Sequence, residues 1–140
     1  MTKKDQPRIM TNMNRWSALI IRALFTRLDS FQTIQKDTQM ATNILSERVQ
    51  ILQDKDIITK AKLPQNRHMK YLLTKKGRGI CPIILALMES GDTWYKDSHD
   101  QPLTLTHKPC GNPLVMQVAC SACDGILLPQ EVTYKLERAL

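Results

Sequence analysis

The segment from Ser30 to Thr74 limits this chain's folding options more than any other, because it holds a strongly periodic helix with polar breaks on both sides. Within Thr42 to Asp54, Leu45, Val49 and Leu52 recur at i, i+4 and i+7, and Ile44 and Ile51 widen the apolar stripe. One face must therefore bury against other elements. The opposite face carries Asn43, Ser46, Glu47, Gln50 and Gln53, side chains equipped to read base edges or simply to meet water.

The flanking segments bear on that choice. Phe31 to Lys36 reads as a short helix, and the polar break Asp37-Thr38-Gln39-Met40 separates it from the next, an order that suggests helix-turn-helix geometry. Downstream, Ile57 to Thr59 and Tyr71 to Leu73 read as strands around Lys62 to His68, a hairpin too polar and too basic to be core. Such a hairpin is a wing. Upstream, Trp16, Leu19, Ile20, Ala23 and Leu24 mark an apolar helix over Arg15 to Leu28 that packs behind the reading helix, with Arg22 on a solvated face. Asp29 and Ser30 cap the helix that follows, and the Thr42 hydroxyl is expected to cap the reading helix. A reading helix enters the major groove by its N-terminal end, so Gln39, Thr42, Asn43 and Ser46 are the base-edge or phosphate candidates. Arg67 and His68, at the wing tip, are placed for backbone or minor-groove contact.

Charge points to the same partner. Residues 1 to 88 hold sixteen Lys or Arg against six acids, whereas residues 89 to 140 hold four against seven. Between Ile57 and Met88 there are seven basic residues and no acid, where a solvated face would mix signs. A polyanion is the expected partner for this part. The longest apolar run, Ile80 to Met88, is nine residues, too short to cross a bilayer, and the amino terminus lacks the apolar core of a signal peptide. The expected location is the cytoplasm, on the nucleoid. No phosphate-cradling glycine loop, nucleophile elbow or close His-Glu-His set suggests an enzyme.

Thr74 to Ser90 reads as a further helix, capped by Thr74 and interrupted by Pro82, beyond which Ile83 to Met88 is apolar nearly all round. That surface needs the core on one side and a second subunit on the other. Cys81 reads as a small buried apolar residue. After a polar linker, His107 and Cys110 followed by Cys120 and Cys123 give two pairs, each with two residues between its members and nine residues between the pairs. Tetrahedral zinc takes four N or S ligands on such tight turns. Three readings stay open: a structural zinc, a metal-free ribbon held by Leu105, Leu114, Val118 and Leu127, and a redox pair at Cys120 and Cys123. No cofactor is otherwise required.

Taken together, Trp16 with Leu19 to Phe25, Thr42 to Val49, Tyr71 to Arg78, and Pro82 to Leu87 ahead of Gly91-Asp92-Thr93-Trp94 resemble the HxlR-type winged helix-turn-helix transcriptional regulators, relatives of the MarR type. The resemblance covers roughly residues 14 to 128 and implies a homodimer whose first and last long helices form the interface. It also implies a phosphate clamp at Arg48, from the family's Ser-x-Arg-Leu motif, with an intramolecular ion pair as the alternative. The family often carries an N-terminal cysteine where this chain has Lys3-Lys4-Asp5, and a wing arginine and glutamate where it has His68 and Lys70. Its tail often shows His-x2-Cys-Gly and Cys-x2-Cys-Gly, with Asp124 here replacing the second glycine.

The expected fold is thus α+β and mainly α: a winged helix-turn-helix with a dimerising helix over residues 1–96, then a linker and small cysteine-containing ribbon over 97–140. The expected function is a dimeric, sequence-specific regulator, acting as a repressor on a palindromic operator in double-stranded DNA. The alternative is a winged-helix protein-interaction module with a zinc-ribbon-like tail. Salt dependence of duplex binding separates the two.

Overall fold

The computed structural model describes residues 13–62, 68–95, 104–133 and 135. The elements run α1 (Arg15–Phe25), α2 (Phe31–Thr38), α3 (Thr42–Asp54), β1 (Ile58–Lys62), β2 (Met69–Leu73) and α4 (Lys75–Trp94), with a short 3-10 turn at Pro129–Glu131. This is the α+β, mainly helical winged helix-turn-helix expected from the sequence. Contacts divide the chain into two compact units, Met1–Ile84 and Leu85–Leu140, so the division falls inside α4, ahead of residue 96.

In the first unit, each helix end has an identifiable stop signal. Asn14 caps α1 by accepting from the Ser17 amide at 2.9 Å. At its other end Arg27 turns left-handed, with φ of 66°, and the Leu28 amide donates back to the Ala23 carbonyl at 2.9 Å. That turn ends α1 at Phe25, short of Leu28. Ser30 and Thr33 form a reciprocal capping box at the start of α2. Asp29 caps nothing; its carboxylate takes the Lys70 ammonium at 2.8 Å, and its carbonyl accepts the Tyr71 amide at 2.7 Å. The loop before α2 is thereby tied to β2.

The apolar stripes meet as periodicity requires. Ile20, Ile21 and Ala23 of α1, Ile34 of α2, and Leu45 and Leu52 of α3 are fully buried, with Ile58 of β1 nearly so. Each such Ile or Leu contributes about 1.5–3 kcal/mol relative to exposure. The hairpin is antiparallel, pairing Ile58 with Leu73 through to Lys62 with Met69, so both strands run longer than the sequence suggested. Its tip, residues 63–67, lies outside the described residues, as does the linker from Lys96 to Pro102.

Thr74 starts α4 as expected, accepting from the Gly77 amide at 3.1 Å, while Pro82 sits inside the helix. Cys81 is buried, and that burial pushes its thiol pKa up, against a reactive role.

In the second unit, the Glu89 carboxylate accepts the Met116 amide at 2.7 Å. Leu105 and Leu114 line a pocket of about 140 Å³ with Met88, Glu89, Asp92 and Thr93.

Gly77 is the tightest point described. A Cβ there would stand 2.1 Å from the Ile57 carbonyl oxygen. Gly77→Ala should therefore cost about 2–3 kcal/mol, from forced displacement of backbone, and lower the urea midpoint accordingly; an unchanged midpoint would show that α4 and the Ile57 carbonyl are not in this contact.

Candidate nucleic-acid interface

The turn between α2 and α3 is set by three residues. Gln39 takes the left-handed conformation, φ of 54°, and its amide donates to the Gln35 carbonyl at 2.8 Å. Met40 then buries beneath the turn, and Ala41 serves as N-cap of α3 with no side-chain bond. Thr42 is therefore the first helical residue and does not cap α3 as expected. Its hydroxyl instead accepts from Gln35 Nε2 at 2.8 Å, and the same amide reaches the Met40 carbonyl at 3.3 Å. Gln35 straps the turn. Sequence reasoning missed it, although a long amide one turn ahead of a chain reversal is a legible signal.

Along α3, burial separates two faces. Leu45, Val49 and Leu52 are buried, while Thr42, Asn43, Ser46, Glu47 and Gln50 are exposed, with Gln39 exposed just ahead of them. Gln39, Thr42, Asn43 and Ser46 thus lie at or near one end of one exposed face, as a groove-reading helix requires. Farther along, Gln50 Nε2 donates to Asp54 at 2.8 Å. Arg48 is half-buried, its Nη2 3.6 Å from Glu47 Oε1, so the intramolecular ion pair is the arrangement present.

The basic residues sort in the same way. Arg22, read as a solvated arginine, pairs with Asp37 and so ties α1 to α2. Lys70 is neutralised by Asp29, and Lys76 donates to the Lys55 carbonyl at 2.8 Å. Lys60 rides on the buried Tyr71 ring at 5.7 Å, and burial raises the Tyr71 pKa. Lys62 and His68 are exposed on either side of the hairpin tip. Arg67 lies outside the described residues.

The tail cysteines occupy two separate tips. His107 Nδ1 lies 3.2 Å from Cys110 Sγ. Cys120 is held near Cys123, and its pKa is lowered by the amides of Ala122 and Cys123 and then by the Cys123 side chain. Among the described residues no three His, Cys, Asp or Glu side chains converge on one point, so the four are brought together as pairs only.

Comparison with known proteins fits this geometry. The family model for the HxlR-like helix-turn-helix matches residues 12–99. An uncharacterized HTH-type transcriptional regulator of Mycobacterium tuberculosis (strain ATCC 25618 / H37Rv) is 26% identical over 121 residues, covering 85% of this chain and 76% of that one. Another from Synechocystis sp. (strain PCC 6803) is 28% identical over 95 residues, covering 66% and 70%. Among solved structures, a proposed transcription factor, PA1607, superposes with a TM-score of 0.82 over 96% of this chain and 97% of that one, at 24% identity. The reduced form of the transcriptional regulator YodB of B. subtilis does so with a TM-score of 0.50 and 25% identity, over 60% and 86%. With a matched span running from ahead of α1 to beyond α4 and taking in more than half of the chain, this chain belongs to the HxlR-like helix-turn-helix family.

Proposed function

We propose that this protein is a dimeric, sequence-specific DNA-binding transcriptional regulator that represses from a palindromic operator. The observation that carries this reading is the row Thr42, Asn43, Ser46, Glu47 and Gln50, exposed on a helix whose other face is buried in the core. Those side chains offer donors and acceptors at the spacing of base edges, while Lys60 and Lys62 of an acid-free hairpin supply phosphate contacts. His68, exposed beside the hairpin tip, is a candidate for backbone or minor-groove contact, and the sequence offers Arg67 for the same contact. Arg48 joins the phosphate contacts only if its pairing with Glu47 opens.

Dimerisation rests on α4. Ile84 and Leu85 are buried, but Ile83 is 46% exposed, Leu87 59% and Trp94 78%, an apolar face costly to leave in water at about 25 cal/mol per Å². A second copy of this chain is the occupant that fits, because a palindrome needs two reading heads about 34 Å apart. Two such heads over a promoter exclude polymerase, so a reporter should fall when the protein is expressed; a rise would make it an activator.

Asn43→Ala should weaken specific binding by about 1–3 kcal/mol and leave the fold intact. Lys62→Ala should weaken specific and random duplex alike and flatten the salt slope by about one unit. Titrations across several salt concentrations measure both. Binding indifferent to salt would favour the protein-interaction reading, and equal losses on both duplexes for Asn43→Ala would remove that residue from base reading.

Leu87→Glu should give monomers by analytical ultracentrifugation with helical circular dichroism retained. A wild type monomeric at micromolar concentration would overturn the dimer.

A further inference from the structure

The tail contains an internal duplication with a period of 13 residues. Thr106 bridges Pro113 around the first tip, and Ala119 bridges Ile126 around the second. Three backbone bonds of one hairpin have counterparts in the other, while the Cys110 amide to His107 carbonyl bond at 3.3 Å belongs to the first alone. The His107 amide donates to the Asn112 carbonyl at 2.9 Å, and the Cys120 amide to the Gly125 carbonyl at 2.9 Å. Leu114 donates to Leu105 at 2.8 Å, and Leu127 to Val118 at 2.9 Å. Gly111 donates to His107 at 2.7 Å, and Asp124 to Cys120 at 2.8 Å, with φ of 71° at Gly111 and 57° at Asp124. In each hairpin the residue after the second member of the pair, Cys110 or Cys123, turns left-handed, with a thiol or imidazole at the first and fourth positions of the tip.

Burial does not account for two such tight hairpins. Val115 is 62% exposed, Val118 67% and Ile126 55%, and Leu127 and Leu128 are exposed as well. Leu105 and Leu114 are only half-buried, so the four residues that would hold a metal-free ribbon form no closed core. Modules this small and this open are normally held by a disulfide or a metal. The four cysteines of the chain are free thiols.

We propose that the two hairpin tips bind one zinc ion through His107, Cys110, Cys120 and Cys123. Three thiolates and one imidazole form a closed tetrahedral set of the structural kind, with no position left for a substrate. Amides of Ala122 and Cys123 aimed at Cys120 supply the outer hydrogen bonds that orient a thiolate ligand. Gly125 keeps the approach to Cys123 open, since a Cβ there would come within 3.3 Å of its sulfur. Among the described residues the four side chains meet as two pairs rather than as one set, so one shared ion requires the two tips to close on it, which couples binding to the conformation of the tail. This site stands independently of DNA reading.

Full-length protein purified without a histidine tag should contain about one zinc per chain by elemental analysis. The stripped, reduced protein titrated with Co²⁺ should develop the visible bands of a tetrahedral thiolate site. His107→Ala, Cys110→Ser and Cys123→Ser should each weaken Co²⁺ binding at least about tenfold, while helical circular dichroism stays unchanged. A metal content near zero with a featureless Co²⁺ titration would overturn the proposal. So would iron in place of zinc, or undiminished zinc in both His107→Ala and Cys123→Ser. DNA affinity does not enter any of these readings, so failure here and failure of the regulator reading are told apart.

Discussion

The Ile57 carbonyl is the point on which the helix-turn-helix unit closes. It accepts the Thr74 amide at 3.0 Å, while the Thr74 hydroxyl lies 3.1 Å from it and 2.6 Å from the Asp56 carbonyl, so the base of the hairpin and the start of α4 are held at two adjacent carbonyls. Just before it, Asp56 turns left-handed and the Ile57 amide returns to Leu52 at 2.9 Å, which ends α3. Three elements therefore take their directions from two consecutive peptide groups. Gly77 is the residue that lets α4 approach so closely, because any side chain would occupy the carbonyl's space.

Around that point, electrostatics fixes which cations remain for a partner. Arg22 is committed to Asp37 and Lys70 to Asp29. Both pairs are about a quarter to a third exposed, and such pairs contribute little stability. Their consequence is positional. They tie α1 to α2 and the loop before α2 to β2, leaving Lys60 and Lys62 as the exposed lysines of the hairpin among the described residues.

How much of this was legible in the sequence depends on range. The faces of α3 were readable because Leu45, Val49 and Leu52 repeat at helical spacing, and the Ser30 cap because its signal is local. Thr42 misled because its backbone is already helical, so Ala41 takes the cap and the hydroxyl goes to Gln35. The partners of Arg22 and Lys70 lie 15 and 41 residues away, where no local pattern reaches. The tail's metal-ligand spacing was plain, yet its duplication was not: between 105–114 and 118–127 only the Cys110/Cys123 and Leu114/Leu127 pairs match. The repeat lives in backbone bonds, which sequence identity does not record.

The three reversals that shape the reading unit sit at Arg27, Gln39 and Asp56, none of them glycine. Each left-handed side chain costs about 1–2 kcal/mol in the folded state, whereas glycine would add roughly 0.4–1 kcal/mol of freedom to the unfolded chain. The backbone cost exceeds the entropic gain by up to about 1.5 kcal/mol, so the hydrogen bonds that close each corner, such as Leu28 to Ala23 and Ile57 to Leu52, hold the reversal without glycine. Gln39 carries an exposed side chain at the corner ahead of α3, where glycine would present none, so the reversal that turns the chain also offers a polar group to whatever meets that surface.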